Sequence, residues 1–357
     1  MTPTLPGPVP RSLLSQLPAY VAGRRAAGAE VAALASNESH FAPLPAVVDA
    51  ISQGAARVNR YPDPQGLELR AAIAKHVGAG TDEVAIGPGS SGVLQQLLTA
   101  LCEPGDEVIH AWRSFEAYPI LVRLAGAVAV GVPLAGERHD LAAMAAAVTD
   151  RTRLILLCTP NNPTGVALTT AEVDDLLARV PQHVLVAIDE AYVEYDDSGF
   201  DGLELLRRHP NVCLVRTFSK AHGLAGLRVG YAVARPEIAE AVRRTMLTFA
   251  VTDLAQSAAL ASLAAVDEME RRVREVRAER ERMIARLREL GWETPDSQAN
   301  FVWLRCSDER REHLMESFDH ADVLVRGYAG DGIRITIADR VANDRALAVL
   351  APVGALA

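Results

Sequence analysis

Short apolar runs alternate with amphipathic stretches along the middle of the chain. The runs "EVIHA", "VAVGVPL", "RLILLC", "VLVAID" and "VCLVRT" predict strands, and stretches such as "GVLQQLLTALC" and "TAEVDDLLARV" predict helices. Strands that alternate with helices indicate βαβ crossovers, in which helices cover both faces of a mostly parallel sheet. Such sheets bind ligands in the loops that follow the carboxyl ends of their strands. The chemistry of this protein is therefore expected in those loops.

The pattern changes near residue 250. The segment 257–290 predicts one long helix, in which apolar residues recur about every 3.5 residues and Arg280 interrupts the series. The spacing allows a short coiled coil, but a helix packed along a domain boundary is the better interpretation. After this helix, "FVWLR", "DVLVR" and "GIRITI" predict strands that alternate with the helices "DERREHLMESF" and "RVANDRALAVL".

These patterns predict an α/β protein in three parts. Residues 1–45 form an amino-terminal arm that contributes to the smaller domain, because they carry too little pattern to fold alone. Residues 46–250 form a large domain built on the mostly parallel sheet. Residues 251–357 form a smaller α/β domain that begins with the long helix.

Composition narrows the kinds of partner. The chain has 357 residues, of which 49% are apolar and 23% charged, as in ordinary globular proteins. No apolar run reaches the roughly 18 residues of a membrane-spanning helix, and "MTPTLPGPVPR" lacks the profile of a signal peptide, so we expect a cytoplasmic protein. The net charge of −9 argues against a nucleic-acid surface. A small molecule is the expected partner.

The cysteines do not indicate a metal site. They lie far apart and mostly in apolar surroundings, without a CxxC motif or a cysteine–histidine cluster, and are Cys102, Cys158, Cys213 and Cys306. We expect buried free thiols rather than disulfides or zinc ligands.

Two loops at predicted strand ends carry glycine, serine and asparagine. "GPGSSG" (87–92) precedes a helix, so its backbone N–H groups can face an anion, although a simple helix cap is the commoner use of such a turn. "TPNNPTG" (159–165) offers the side-chain amides of Asn161 and Asn162. The alternative there is an ordinary turn before a helix whose cap is Thr169 or Thr170.

Two further loops contribute ionisable groups. "IDEAYVEY" (188–195) places Asp189 and Tyr192 just beyond a buried strand, where a carboxylate is usually partnered rather than solvated. "TFSKAHGLAGLRVG" (217–230) sets Lys220 between two strand-like stretches, beside Ser219 and ahead of Arg228. A solvated lysine needs no such setting. A lysine that must stay partly neutral and bond covalently to an anionic partner does.

Together the four loops are typical of a pyridoxal-phosphate site. Lys220 can bond to the aldehyde of that cofactor, and Asp189 can keep the pyridine nitrogen protonated so that the ring withdraws electrons. The phosphate needs N–H, hydroxyl and cationic donors, which the glycine-serine loop and the lysine loop supply. Once the substrate displaces it, a desolvated lysine can act as a base.

The motifs "PNNPTG", "DEAY" and "TFSKAHGLAGLRVGY", in this order and spacing, resemble the fold-type I pyridoxal-phosphate aminotransferases, in particular the histidinol-phosphate aminotransferases and their aromatic (phenylalanine) aminotransferase relatives. The resemblance runs from "LASNES" (34–39) to "GIRITIA" (332–338) and implies an aspartate aminotransferase-like fold and a homodimer. The histidinol-phosphate enzymes commonly have an acidic pair after the serine where this chain has "GPGSSG", and they usually have a glycine where it has Ala338. Both departures, with "WRSFEAYP", favour the aromatic sub-branch.

The resemblance also implies roles for single residues. The catalytic residues are Lys220, which bonds to the cofactor, Asp189 at the pyridine nitrogen and Tyr192 at the phenolic oxygen. The other cofactor-binding residues are Ser90, Ser91, Ser219 and Arg228 at the phosphate, Asn162 at the phenolic oxygen, Phe115 against the ring, and Tyr61 from the neighbouring subunit. The substrate-binding residues are Arg334 at the α-carboxylate, with Asn37, Tyr20 and Arg326 lining the pocket.

The leading functional hypothesis is an aromatic amino acid aminotransferase that passes the amino group to a 2-oxo acid such as 2-oxoglutarate. Histidinol-phosphate transamination stays open because Arg326 would suit a substrate phosphate. A related decarboxylase acting on a phosphorylated amino acid is another enzyme alternative. A cofactor-binding sensor would need a DNA-binding domain ahead of the fold, and the first 45 residues contain no helix-turn-helix pattern.

Overall fold

The computed structural model describes residues 8–17, 28 and 31–354. Within these ranges the strands are β1 (Ala32–Ala33), β2 (Val84–Gly87), β3 (Glu107–Trp112), β4 (Val128–Pro133), β5 (Thr152–Cys158), β6 (Leu185–Asp189), β7 (Val212–Thr217), β8 (Gly230–Ala234), β9 (Phe301–Arg305), β10 (Val323–Leu324), β11 (Arg326–Tyr328) and β12 (Gly332–Thr336). The five strands predicted between residues 107 and 217 are confirmed as β3 to β7.

The helices of the same ranges are α1 (Pro45–Ala55), α2 (Leu67–Val77), α3 (Gly89–Leu101), α4 (Tyr118–Leu124), α5 (Leu141–Ala146), α6 (Thr170–Arg179), α7 (Gly202–Arg208), α8 (Pro236–Arg244), α9 (Asp253–Ala264), α10 (Val266–Glu289), α11 (Asp308–His320) and α12 (Arg340–Gly354). The start of α6 follows from its sequence. Thr169 accepts from the Glu172 N–H at 3.2 Å, and the Glu172 carboxylate accepts from the Thr169 N–H at 2.7 Å. This capping box identifies Thr169, not Thr170, as the cap.

Seven strands form the large sheet, in the order β2-β8-β7-β6-β5-β3-β4. Only β8 pairs antiparallel with its neighbours, so the other six strands run in one direction. The carboxyl ends of those six strands therefore meet at one edge of the sheet. The start of β8 lies at the same edge because that strand runs the opposite way.

Two apolar cores cover the two faces of this sheet. Along β5, Ile155 and Leu157 belong to one core, which also contains buried side chains of α2, α5, α6 and α7. Leu154 and Leu156 belong to the other, which contains side chains of α3, α4 and α8. Adjacent strand residues point to opposite faces, so a strand buried on both sides reads as a continuous apolar run. The predicted α/β fold with helices on both faces is confirmed.

Two smaller sheets lie outside the large one. β11, β12 and β9 form an antiparallel sheet, and β1 pairs in parallel with β10. The run "DVLVR", predicted as one strand, is divided between β10 and β11, because residues on either side of Val325 pair with different partners. The pairing of β1 with β10 joins the amino-terminal arm to the carboxyl-terminal part. The division at residues 45 and 250 stays a prediction.

The single helix predicted over 257–290 is wrong, because the chain forms α9 and α10 with a break at Ala265. Ala265 has φ −108° and ψ 32°, outside the helical region, and its N–H bonds back to Ala261 and Ser262. α9 packs on α1 and α2, whereas α10 packs on α12 and β9. A straight helix could not follow both surfaces.

Arg280, which interrupts the apolar series of α10, is nevertheless buried on the same face as Val276 and Met283. Its guanidinium donates to the carbonyl of Tyr195 at 2.8 Å and pairs with Asp197 at 3.2 Å. A buried cation is tolerated when its donors find such partners. Arg280 thus ties α10 to the loop that follows β6.

Three of the four cysteines are buried, as predicted, and Cys306 is partly exposed. Within the described ranges, no helix has both the length and the apolar character needed to cross a membrane.

Gly230, the first residue of β8, lies against the backbone of α3. A Cβ at this position would come within 2.5 Å of the Ser90 amide nitrogen and 2.9 Å of the Arg216 carbonyl oxygen. Because these atoms belong to the backbone, we expect Gly230→Ala to lower the free energy of unfolding by about 1–3 kcal/mol, measured by denaturant unfolding. Gly226→Ala is the control, since a Cβ there meets nothing within 4 Å. Equal stability of the two variants would contradict the prediction.

Candidate active site

The strand ends at this edge of the sheet surround a cavity of about 250 Å³. The elements β2, β3, β5, β6, β7 and β8 each end or begin beside it, and β11 and β12 close it from the other side. The cavity brings together most of the predicted site residues: Asn37, Ser90, Ser91, Phe115, Asn162, Asp189, Tyr192, Ser219, Lys220, Arg228, Arg326 and Arg334.

Lys220 follows β7 and faces the cavity. Its Nζ donates to the carbonyl oxygens of Ser36 and Asn37, both at 3.2 Å, and lies 5.8 Å from the centroid of the Tyr192 ring. The surrounding protein lowers the pKa of Lys220 to about 7, and the nearby charge of Arg334 adds to this effect. A substantial fraction of the amine is therefore neutral near neutral pH and able to act as a nucleophile or base.

Asp189 ends β6 and is buried, with an exposed fraction of 4%. Its Oδ2 accepts a hydrogen bond from the Tyr118 hydroxyl at 2.8 Å, and its Oδ1 accepts one from the Ala191 N–H at 3.2 Å. Burial raises the pKa of Asp189 to about 6, and the two hydrogen bonds oppose that rise. Together they hold the carboxylate in one orientation beside the cavity.

A cluster of donors lies at the start of α3. Arg228, with a left-handed φ of 54°, donates to the Ser219 Oγ at 3.1 Å. A Cβ on Gly89 would lie 2.2 Å from the Arg228 guanidinium, so glycine is what lets that cation approach the helix N-terminus. Ser90 and Ser91 in the first turn face the same part of the cavity. Hydroxyls, a guanidinium and a helix N-terminus suit a phosphate group.

Arg334 on β12 approaches from the opposite side and is buried, with 6% exposed. One terminal nitrogen donates to the Asn162 Oδ1 at 2.5 Å and the other to the Ala35 carbonyl at 2.7 Å. Its Nε is buried and has no hydrogen-bond partner among the described residues. A buried donor without a partner is costly unless a ligand satisfies it, and a guanidinium suits a carboxylate.

Asn37 joins the amino-terminal segment to the cavity. It has a left-handed φ of 53°, donates to the Tyr192 hydroxyl at 2.9 Å, and accepts from the Thr336 hydroxyl at 3.0 Å. These contacts orient the Tyr192 phenol toward the cavity, where a cofactor oxygen could accept from it.

One predicted residue that the structure describes does not line the cavity. Tyr61 is 81% exposed and stacks on Phe249, with ring centroids 4.4 Å apart. Its proposed reach into a neighbouring subunit stays a prediction. Tyr20 lies outside the described residues.

The whole chain resembles known aminotransferases. The family model "Aminotransferase class I and II" matches residues 29–350. The chain belongs to that family. It is 51% identical to the aromatic amino acid aminotransferase of Thermobifida fusca (strain YX), with 96% of each chain aligned. It is 54% identical to the enzyme of the same name from Rhodococcus opacus (strain B4), over 96% of this chain and 95% of the relative.

A solved structure shares the fold of this class I and II aminotransferase. Histidinol-phosphate aminotransferase from Sinorhizobium meliloti, in complex with pyridoxal-5'-phosphate, superposes with a TM-score of 0.87 at 30% identity, covering 97% of this chain and 98% of the other. The cavity described here fits the same cofactor by its own contacts. Arg228 and the N-terminus of α3 offer a place for a phosphate, and the buried carboxylate of Asp189 and the amine of Lys220 line the same cavity.

The sequence did not identify several residues of this aminotransferase site. Tyr118 follows Phe115 by three residues, and it is the side-chain donor to Asp189. Glu38, Glu116 and Tyr328 line the cavity itself. The aromatic residues of "SFEAYP" offered a signal for Tyr118, but no local pattern relates position 118 to position 189.

The Tyr118 hydroxyl is expected to keep Asp189 ionised. In Tyr118→Phe the carboxylate loses its 2.8 Å donor, so its pKa rises above about 6 and less of it is charged at neutral pH. A hydrogen bond to a charged group contributes about 1.5–3 kcal/mol, so the affinity for pyridoxal phosphate should fall about tenfold or more, measured by spectrophotometric titration of the apoprotein. The loss should grow as pH falls.

Tyr231→Phe is the matched control, because Tyr231 is also buried but Tyr118 is the tyrosine that donates to Asp189. An unchanged cofactor affinity in Tyr118→Phe would show that Asp189 does not depend on this hydroxyl.

Proposed function

We propose that this protein is an aromatic amino acid aminotransferase that uses pyridoxal phosphate. The observation that carries the proposal is that Lys220, Asp189 and Arg334 face one cavity, in a chain 51% and 54% identical to two aromatic amino acid aminotransferases over nearly its whole length. Its substrates are amino acids and 2-oxo acids. Phenylalanine, tyrosine and tryptophan are the proposed donors, and 2-oxoglutarate is a proposed acceptor.

Different residues of the cavity bind different parts of the cofactor in this proposal. Ser90, Ser91, Ser219 and Arg228 hold the phosphate, Asp189 pairs with the pyridine nitrogen, Phe115 packs on the ring, and Asn162 with Tyr192 donates to the phenolic oxygen. When bound, pyridoxal phosphate supplies an electron-withdrawing ring that stabilises negative charge at the substrate α-carbon. A negative Asp189 supports this by favouring the protonated form of the ring nitrogen.

Lys220 carries out the proton transfer in this mechanism. Its lowered pKa would leave the amine neutral enough to hold the cofactor and to take the proton from the donor's α-carbon. The carbonyls of Ser36 and Asn37 hold Nζ in place through two hydrogen bonds. The protonated Nζ would then be the acid that gives the proton back, so that the amine ends in its neutral form.

Arg334 orients the substrate. Its terminal nitrogens already contact Asn162 and Ala35, and its unpartnered Nε points to a further acceptor, which the α-carboxylate supplies. Because Asn162 Oδ1 accepts from Arg334, its amide nitrogen is left as a donor for the cofactor. One contact therefore couples the substrate site to the cofactor site.

Histidinol phosphate is the second candidate donor, supported by the Sinorhizobium meliloti structure and by Arg326 in the cavity. The Arg326 guanidinium, however, pairs with Glu116 at 2.8 Å. That ion pair already compensates the charge that would attract a phosphate, which favours an uncharged substrate side chain.

The homodimer belongs to the same proposal. An exposed Tyr61 stacked on Phe249 is suited to enter a neighbouring subunit and reach its cofactor phosphate. A cytoplasmic location stays a prediction.

The lowered pKa of Lys220 predicts the pH dependence of cofactor capture. Below about pH 7 the amine is an ammonium ion and cannot attack, so the rate at which the apoprotein bonds to pyridoxal phosphate should rise through pH 7 and then level off. Absorbance of the bound cofactor measures this rate. A rate that kept rising toward pH 10.5, the ordinary lysine value, would contradict it. Lys220→Ala is expected to keep the fold and should show no covalent capture and no turnover.

The donor profile tests the proposed activity. Steady-state assays with phenylalanine, tyrosine, tryptophan, histidinol phosphate and aspartate should give the highest kcat/KM for an aromatic donor. A higher kcat/KM for histidinol phosphate would replace the aromatic assignment with the second candidate. Cofactor binding without turnover of any donor would overturn the proposal as a whole.

A further inference from the structure

Glu116 and Arg326 form an ion pair across the cavity. Glu116 directly follows Phe115 in the loop after β3, whereas Arg326 begins β11, so the pair joins the large sheet to the small antiparallel sheet. Glu116 Oε2 lies 2.8 Å from a terminal nitrogen of Arg326, with side-chain exposures of 31% and 14%. The Arg326 guanidinium also lies 5.5 Å from the centroid of the Tyr328 ring.

The other cations of the cavity have different tasks in the proposed function. Arg334 faces the α-carboxylate, Arg228 the phosphate of the cofactor, and Lys220 the reacting carbon. Arg326 is the remaining cation that lines the described cavity, and it is therefore the one left to face the substrate side chain. Whether the positive charge of this guanidinium is neutralised therefore decides which side chains the pocket accepts.

A guanidinium whose charge is not neutralised would be unfavourable beside an apolar ring. An aromatic side chain that enters the pocket removes water from Arg326, and a desolvated charge needs a partner. Glu116 is such a partner, because it lines the same cavity and pairs with Arg326. With Glu116 in place, the wall presented to an uncharged ring carries no net charge from this pair.

A second anionic group on the substrate meets a different situation. A phosphate or a distal carboxylate can bind Arg326 only by displacing Glu116, which then loses its counter-ion in a partly desolvated site. Specificity is a difference between the affinities of two ligands, so an internal competitor lowers one affinity without strengthening the other.

We propose that Glu116 is the specificity-determining residue of this pocket: it neutralises Arg326 when the substrate side chain is uncharged and competes with any second anionic group for the same guanidinium. The inference rests on the proposed aminotransferase function. It means that one pocket serves both an aromatic donor and a dicarboxylic acceptor, the second at the expense of the ion pair.

The test compares substrates in four forms of the holoenzyme: wild type, Glu116→Gln, Arg326→Gln and the double variant. Glutamine keeps the shape of the side chain and removes its charge. In Glu116→Gln, the ratio of kcat/KM for histidinol phosphate to kcat/KM for phenylalanine should rise about tenfold or more, mainly through a lower KM for the phosphate. The kcat/KM for 2-oxoglutarate as acceptor should rise relative to that for an aromatic 2-oxo acid.

The double variant separates competition from a general change of the pocket. If the gain comes from the Arg326 guanidinium no longer being paired with Glu116, it should disappear when Arg326 is also replaced. A gain that survives in the double variant would overturn the inference.

Glu137→Gln is the matched control. Glu137 pairs with Arg305 at 3.1 Å in another surface ion pair that does not line the active-site cavity. In this variant, the ratio of kcat/KM for histidinol phosphate to kcat/KM for phenylalanine should equal that of the wild type. The absorbance of the bound cofactor verifies that each variant holds pyridoxal phosphate.

The outcomes distinguish this inference from the proposed function. An unchanged ratio in Glu116→Gln, with phenylalanine still transaminated, overturns the role of Glu116 and leaves the aminotransferase assignment intact. A wild type that transaminates none of these donors overturns the assignment itself and, with it, the inference.

Discussion

The amine of Lys220 is surrounded by protein at the point where the parallel strands of the large sheet end. An ammonium ion loses favourable hydration in such a place, and its neutral form gains in proportion. Arg334 and Arg228 deepen this effect because both repel a positive Nζ, whereas Glu38 and Asp189 oppose it. Two carbonyls of the amino-terminal segment fix the position of the amine. The fold makes Lys220 reactive because the surroundings of its amine destabilise the charged form.

Asp189 is buried as well, but it has to keep its charge rather than lose it. Burial raises its pKa to about 6, so an isolated carboxylate there would be protonated too readily. Tyr118 and the Ala191 N–H each donate to the carboxylate and partly restore its charge. Lys220 and Asp189 thus end with pKa values closer together than in water, and both can be charged or neutral at moderate pH. A cofactor that needs a base on one side and an anion on the other finds both in this cavity.

The sequence predicted the large sheet well because buried parallel strands have a local signature, the unbroken apolar run seen in "RLILLC". The prediction from sequence was wrong where contacts between distant parts of the chain determine the local structure. Ala265 is a good helix former, and only the different surfaces under α9 and α10 explain the break there. The loop residues Lys220 and Asp189 stood out through their chemistry and position after strands. Tyr118 did not, because its role depends on a partner 71 residues away. Nor did Glu116, whose partner Arg326 is 210 residues away.

Asn37 has a consequence for the order in which the chain can become functional. Its carbonyl contacts Lys220, while its amide side chain lies between Tyr192 and the hydroxyl of Thr336. β1, just before it, pairs only with β10 among the described strands. During synthesis on the ribosome, a nascent chain that ends before Thr336 lacks the elements that hold Asn37 in place, even though the large sheet is already complete. The emerging polypeptide therefore acquires the full lysine environment only when its last strand leaves the exit tunnel.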